Sequence, residues 1–435
     1  MTQQDRSLLD DLDARGLIAQ FSGGDDFMQH IGASGRTVYC GFDPTADSLH
    51  IGHLVPLLVL KRFQLAGHRP IALVGGATGL VGDPSFKAQE RNLNTADVVA
   101  GWADKIKGQV ERFVDFEGAH AARVVNNLDW TGEVRLLDFL RDVGKYFAVN
   151  AMIQKESVRQ RIEREGEGIS FTEFSYMLLQ SYDFAQLNRR HGCTVQLGGS
   201  DQWGNITGGI DLARRMNGAQ VFGMTLPLVT KADGAKFGKT ESGTVWLDGS
   251  KTSPYSFYQF WLNTADADVY KFLRYFTFLS VEDIDAIEKA DAVREGRPEA
   301  QRILAQEVTR TVHGEDALAS VERINSNLFS GGDAIGRLSE QDLAQLKLDG
   351  MPYSCLERNA LPVSLTQLLS DIGMAPSGKQ VKDALTRHAV EINGVAIGFE
   401  ENAEVSRLFD AARGAYGCYY LVKLGKKKYH LLELV

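Results

Sequence analysis

"YCGFDPTADSLHIGHLVPLLVLKRF", Tyr39 to Phe63, decides the fold. The apolar stretch Thr37 to Phe42 reads as a strand, and Asp43-Pro44 breaks it. A polar loop leads to His50 and His53, and a strongly apolar helical run begins at once. Pro56 locates the start of that helix. Proline lacks an N–H and clashes with a preceding turn, so it is tolerated only in the first turn. The helix therefore begins near Gly52, with His50 just ahead of it and His53 in its first turn. Unsatisfied N–H groups and the positive end of the helix dipole collect there, which favours a polyphosphate. The imidazoles and the Thr45 hydroxyl can donate hydrogen bonds to phosphate oxygens without strong fixed charge. Gly52 has no side chain, so a base or ribose can approach the backbone. Two histidines capping a surface turn is the commoner meaning of an arbitrary H-x-x-H, and the strand–Pro–loop–helix setting argues against it here.

Residues 36 to about 230 read as α/β. Pro70 to Val74 has apolar side chains on both faces, as a buried parallel strand does, and Gly67 is a good C-cap for the helix before it. Strand, helix, strand in this order predicts a Rossmann-like, doubly wound parallel sheet. From Ser253 the texture turns helical, with starts at Ser253-Pro254, Ser280-Val281-Glu282-Asp283 and Arg297-Pro298-Glu299. Leu304, Val308 and Val312 form an i, i+4, i+8 stripe. A looser stretch around Ser330-Gly331-Gly332-Asp333 leaves this region, and a small α+β unit begins near Leu361. The expected domains are 1–250 for catalysis, 251–345 helical and 361–430 at the end.

The 435-residue length calls for two or three domains, and 44% hydrophobic with 24% charged residues is an ordinary globular composition. The purest apolar run, Leu57 to Leu60, is far from the ~20 residues that span a membrane. The acidic N-terminus lacks a secretory apolar core. Cys40, Cys193, Cys355 and Cys418 form no C-x-x-C pair, which suggests neither a zinc cage nor a disulfide framework and predicts a cytoplasmic setting. A net charge of −9 argues against a basic coat for nucleic acid. The tail is the exception: from Pro362 on, nine Lys or Arg face eight Asp or Glu, and Lys426-Lys427-Lys428 lies there.

Two tempting motifs fail. Gly238-Lys239-Thr240 resembles the end of a P-loop, but Gly234 lies one residue too close and no βα unit surrounds it. The glycines of Gly75-Gly76-Ala77-Thr78-Gly79-Leu80-Val81-Gly82-Asp83 allow close backbone approach but do not match G-x-G-x-x-G. On one helical face Tyr176, Gln180 and Asp183 recur at i, i+4, i+7, an odd set for a core.

His50-Ile51-Gly52-His53 resembles the nucleotide-binding motif of the class I aminoacyl-tRNA synthetases, and its flank Tyr39 to Thr45 is similar to that of their bacterial, tyrosine-specific branch. Lys236-Phe237-Gly238-Lys239-Thr240, roughly 185 residues later, resembles the second class I motif. Physically, two lysines there can offset charge growing on departing pyrophosphate. The resemblance implies ATP and L-tyrosine as substrates and tRNA(Tyr) as acceptor. It implies catalytic roles for Thr45, His50, His53, Lys236, Lys239 and Thr240, and nucleotide contacts from Gly41, Asp43, Gly52, Asp201 and Lys239. Tyr176, Gln180 and Asp83 would hold the substrate ammonium, Tyr39 and Asp183 its phenolic hydroxyl, and Gln202 a further substrate contact. Magnesium would arrive with ATP, because no carboxylate cage is evident. Ala375 to Lys382 and Ala389 to Val395 resemble the small RNA-binding fold of ribosomal protein S4, with Lys379 and Lys382 toward phosphate. The family acts as a homodimer. A tryptophan-specific relative, which needs no hydroxyl partners, and a structured-RNA binder with vestigial motifs are the alternatives; intact His50, His53, Lys236 and Lys239 speak against the second.

Overall fold

A computed structural model describes residues 7–83, 94–155, 158–159, 162–163, 168–232, 237–240, 243–328, 335–425 and 428–435, with only the backbone of Lys239 and Thr240. Contacts group the chain into two units, Met1–Leu247 with Ala265–Leu304, and Asp248–Thr264 with Ala305–Val435.

The first unit is built on a six-stranded sheet: β1 (Gln20–Phe21), β2 (Thr37–Phe42), β3 (Arg69–Val74), β4 (Arg123–Asn126), β5 (Cys193–Gly199) and β6 (Phe222–Leu226), in the order β1-β6-β5-β2-β3-β4. All neighbours pair parallel except the edge strand β1, which runs antiparallel to β6. From β2 the chain winds outward through β3 and β4, then returns to β5 on the other side of β2. That reversal opens a crevice at the carboxyl ends of β2 and β5, where doubly wound sheets bind ligands.

Between β2 and β3 runs α1 (Leu54–Leu65), preceded by a 3₁₀ turn, Ile51–His53, whose N-cap is His50. Leu57, Leu58, Val59 and Leu60 are all buried, and Gly67 beyond the helix adopts φ +89°, the left-handed stop expected of it. A second helix, α2 (Phe171–His191), starts on a Ser170 cap and ends on left-handed Gly192. Arg62 of α1, buried, donates to the Thr277 carbonyl, and Phe237 stacks on Phe276 at 5.3 Å. These contacts tie residues from the expected helical domain to the first unit.

In the second unit, α3 (Pro254–Leu262) has Ser253 as N-cap with proline at its first position. The Tyr255 N–H donates to Gln345 Oε1 at 3.0 Å, and buried Asp342 receives Ser320 and Arg323. The expected 251–345 helical domain is thus divided between the two units rather than closed on itself. Leu304, Val308 and Val312 are buried as their stripe predicted.

The same unit carries a second sheet of five strands: β7 (Tyr353–Leu356), β8 (Val390–Ile392), β9 (Val395–Ile397), β10 (Tyr419–Leu424) and β11 (Lys428–Leu434), ordered β9-β8-β10-β11-β7. It shares a core with the helices Leu365–Asp371 and Gly378–Thr386. This small α+β body begins at β7, ahead of the expected Leu361, because β7 pairs parallel with β11. All four cysteines are free thiols, and no helix among the described residues is long and apolar enough to cross a membrane.

Candidate active site

A cavity of about 600 Å³ opens at the crevice of the first unit. Its walls bring together Tyr39, Gly41, Asp43 and Thr45 from β2 and its exit, with His50, Gly52 and His53 from the helix start. Asp83, Tyr176, Gln180, Asp183, Asp201 and Gln202 close the remaining sides. Lys236 lies outside the described residues, as do the side chains of Lys239 and Thr240. Lys379 and Lys382 stand in the second unit on a helix that buries Val381 and Leu385 and leaves both ammonium groups exposed.

Backbone capping sets the two imidazoles. Gly52 N–H donates to His50 Nδ1 at 3.0 Å, and His50 N–H donates to His53 Nδ1 at 3.2 Å. A backbone amide can only donate, so both Nδ1 atoms are acceptors and Nε2 is the donating nitrogen of each ring. Gly52 has a more local reason for being glycine than ligand approach. A Cβ there would lie 2.7 Å from His50 Cε1, displacing the ring that caps the helix.

Deeper in the cavity, Asp183 is fully enclosed. It accepts from Asn127 Nδ2 at 2.9 Å and from the Trp130 indole N–H at 2.8 Å. Burial pushes its carboxyl up to about 7; these two donors pull against that rise, and the charge of Asp43 adds to it. Burial, with Asp183 nearby, also holds the Tyr39 phenol protonated. The Tyr39 hydroxyl is buried and has no hydrogen-bond partner, as have Gln180 Oε1 and Gln196 Oε1. Leaving a buried group of this kind unpaired costs about 1–3 kcal/mol, so each is a ready partner for a polar ligand in the cavity.

Nearer the mouth, Tyr176 donates to Asp43 Oδ2 and Thr78 to Asp43 Oδ1, both at 2.6 Å. Asn127 also donates to Thr78 Oγ1 at 2.9 Å, joining Asp43 to Asp183 through one network. Gly75 must be glycine, since a Cβ would come within 2.0 Å of Asp43 Oδ1. Gln202 donates its amide to Asp83 at 2.8 Å and to Asp201 at 3.2 Å, so it braces two carboxylates.

Thr78, Asn127, Trp130 and Gln196 were not singled out from sequence. The signal for Asn127 was weak: two asparagines after the two-residue apolar run Val124-Val125.

Residues 34–330 match the family of tRNA synthetases class I (W and Y), and residues 342–432 match the tyrosine–tRNA ligase SYY-like C-terminal domain. The tyrosine–tRNA ligase of Aliivibrio fischeri (strain MJ11) is 62% identical over 425 residues, covering 98% of each chain. That of Chromobacterium violaceum is 58% identical over 433 residues, covering 100% of each. A solved C-terminally truncated mitochondrial tyrosyl-tRNA synthetase from Aspergillus nidulans is 31% identical, with a TM-score of 0.67 over 75% of this chain and 95% of its own. The histidine motif, the enclosed carboxylate and these full-length likenesses agree, and the chain belongs to the class I tRNA synthetases, in their tyrosine–tRNA ligase family.

Proposed function

We propose that the chain charges tRNA(Tyr) with L-tyrosine in two steps. The tyrosine carboxylate oxygen attacks the α-phosphorus of ATP, the α–β anhydride bond breaks, and tyrosyl-adenylate and pyrophosphate form. A terminal ribose hydroxyl of tRNA then attacks the acyl carbon, and AMP leaves. No side chain serves as covalent nucleophile; orientation and electrostatics carry the reaction.

The observation behind the choice of amino acid is the unpartnered Tyr39 hydroxyl beside the enclosed Asp183 carboxylate. A phenolic hydroxyl accepts from Tyr39 and donates to Asp183. Phenylalanine would leave the Tyr39 hydroxyl without a partner and bring no donor to Asp183, at a desolvation cost, and tryptophan needs neither. The substrate ammonium then meets Asp83, the Gln180 oxygen and the Tyr176 oxygen, whose proton is already given to Asp43. ATP lies along Gly41, Asp43, Thr45, His50, Gly52, His53 and Asp201, with Lys236, Lys239 and Thr240 toward pyrophosphate. Magnesium is carried in by the nucleotide and offsets phosphate charge.

Exposed Leu136 and Leu137, 72% and 77% accessible, together with Val149 and Phe171 favour a second copy as the cover of that region, hence a homodimer. Lys379 and Lys382 serve tRNA phosphates. The free thiols fit a cytoplasmic setting.

Tyrosine-dependent exchange of pyrophosphate into ATP tests the reading; no exchange overturns it. Tyr39→Phe removes one hydroxyl partner and keeps the ring. The tyrosine-to-phenylalanine ratio of kcat/KM is expected to drop about tenfold, the scale of one hydrogen bond to a buried group. An unchanged ratio removes Tyr39 from the pocket.

Binding should also depend on pH. Tyrosine donates to the ionised form of Asp183, so binding draws a proton off a carboxyl poised at about 7. Affinity is full above that value and weakens below it, approaching tenfold per pH unit. For folding the sign is opposite: the raised carboxyl favours the fold at low pH, and this contribution is lost as pH rises through about 7. Calorimetric titration of tyrosine between about pH 6 and about pH 8 measures the binding term. A flat profile would exclude ionised Asp183 as the acceptor.

A further inference from the structure

The histidine loop is held by a neighbouring segment, residues 245–247, that takes no part in the pocket described above. His50 forms an antiparallel bridge with Trp246. Ile51 N–H donates to the Val245 carbonyl at 3.1 Å, and Leu247 N–H donates to the Leu49 carbonyl at 2.8 Å. Val245 and Leu247 are buried, so alternation along the segment turns Trp246 to the other face. There its indole meets the His50 imidazole edge-on, with centroids 6.3 Å apart and planes at 65°. The His53 ring also lies against that imidazole, at 4.1 Å.

The segment also reaches the lysine-bearing stretch. Val245 N–H donates to the Gly238 carbonyl at 3.1 Å. Gly238, buried at φ +86°, lies against Ile51: a Cβ would come 3.1 Å from Ile51 Cγ1. The middle of the histidine motif and the glycine of the lysine motif are therefore packed on each other, with residues 245–247 laced to both.

We infer that Trp246 is a positioning residue for His50: the bridge holds the His50 backbone, and the indole edge, with His53, limits rotation of the imidazole that presents Nε2 to nucleotide. The inference rests on the proposed adenylation. Displacing a reacting group by ~1 Å can cost ~10²-fold in rate, so a ring that fixes the imidazole matters without touching ATP.

The test uses the full-length chain. Tyrosine-dependent pyrophosphate exchange in the parent first establishes the reaction; its absence would fault the proposed function and not this assignment. Trp246→Leu keeps the strand and most of the apolar volume but removes the ring edge. Its kcat for exchange is expected to fall roughly 10- to 100-fold. KM for tyrosine and the thermal midpoint are expected to stay put, and Trp246→Phe, which restores an aromatic edge, is expected to recover most of the rate. A purely structural role would lower the midpoint and would not separate kcat from tyrosine KM. Parent-like exchange by Trp246→Leu, or equal losses in Trp246→Leu and Trp246→Phe, would overturn the inference. A variant that fails to fold is bypassed by a spectroscopic arm. Nucleotide reaching His50 is expected to change indole emission in the parent and to change it clearly less in Trp246→Phe, the difference isolating Trp246 from the four other tryptophans, and an equal change in both would also overturn it.

Discussion

His50→Ala is expected to slow tyrosyl-adenylate formation by about 10²-fold, the scale for losing one preorganised donor to charge that develops in the transition state. Tyrosine affinity should hardly move, because Tyr39 and Asp183 lie deeper in the cavity than the helix start. The capping geometry adds a second effect. His50 Nδ1 accepts from Gly52 N–H, so alanine also uncaps the helix, at about 1 kcal/mol of stability. The two losses can be separated with His50→Asn, whose carbonyl can take over the cap while its amide donates toward phosphate. That variant should regain the stability and part of the rate. Pre-steady-state adenylate formation and thermal unfolding, measured on both variants, decide the matter. If tyrosine binding weakened as much as the rate fell, His50 would not belong to the nucleotide.

How much of this was legible in the sequence depended on how local each cause is. Thr37–Phe42 and the helix after it could be read because the signals are adjacent: an apolar run, Asp43-Pro44 as a break, and Pro56 fixing the first turn. Asp183 could be read because helical spacing puts it beside Tyr176 and Gln180. Its partners could not. Asn127 and Trp130 reach it only because β4, four residues long, pairs parallel with β3, matching Val74 to Asn126. Nothing near residue 127 announces that register. β7 was missed for the same reason: it is a short strand after Pro352 whose partner lies near the end of the chain. The unit boundaries turn on equally distant contacts, Arg62 with the Thr277 carbonyl and Tyr255 with Gln345. Gly52 shows a subtler gap. Its identity was legible, yet the pressing reason for it is a neighbouring ring rather than a ligand.

Cutting the chain after Gly350 is expected to leave adenylate formation near its full-length rate and to lower kcat/KM for tRNA by about 10³-fold, the scale on which losing several phosphate contacts weakens a nucleic-acid complex. Every residue that walls the cavity precedes the cut. The position matters. Ser330, the expected exit from the helices, lies outside the described residues, and a cut there would remove partners of residues that remain. Ser320 and Arg323 would lose Asp342, Tyr255 would lose Gln345, and the Ser253 N–H would lose Asp349. Arg323 is 42% exposed, so water compensates it for the lost Asp342; the buried Ser320 hydroxyl and Tyr255 N–H, left unpaired, cost about 1–3 kcal/mol each, so the shorter fragment should melt earlier than the longer one. The fragment ending at Gly350 keeps those bonds. Its losses at the small sheet include Lys347 with Glu433 at 2.5 Å and the Tyr416 hydroxyl with the Leu338 carbonyl at 3.1 Å. The part removed is a body with its own core, from Leu365 to Leu434, together with Lys379, Lys382 and Lys428. Raising salt from about 50 to about 200 mM on the intact chain should imitate the truncation in part, because screening weakens phosphate contacts and leaves the enclosed cavity proposed for tyrosine little affected. Pyrophosphate exchange and aminoacylation, run side by side, measure both. A fragment that charged tRNA normally would show that the small body is not the RNA-binding module. A folded fragment that had lost exchange would show instead that the second unit contributes to adenylation.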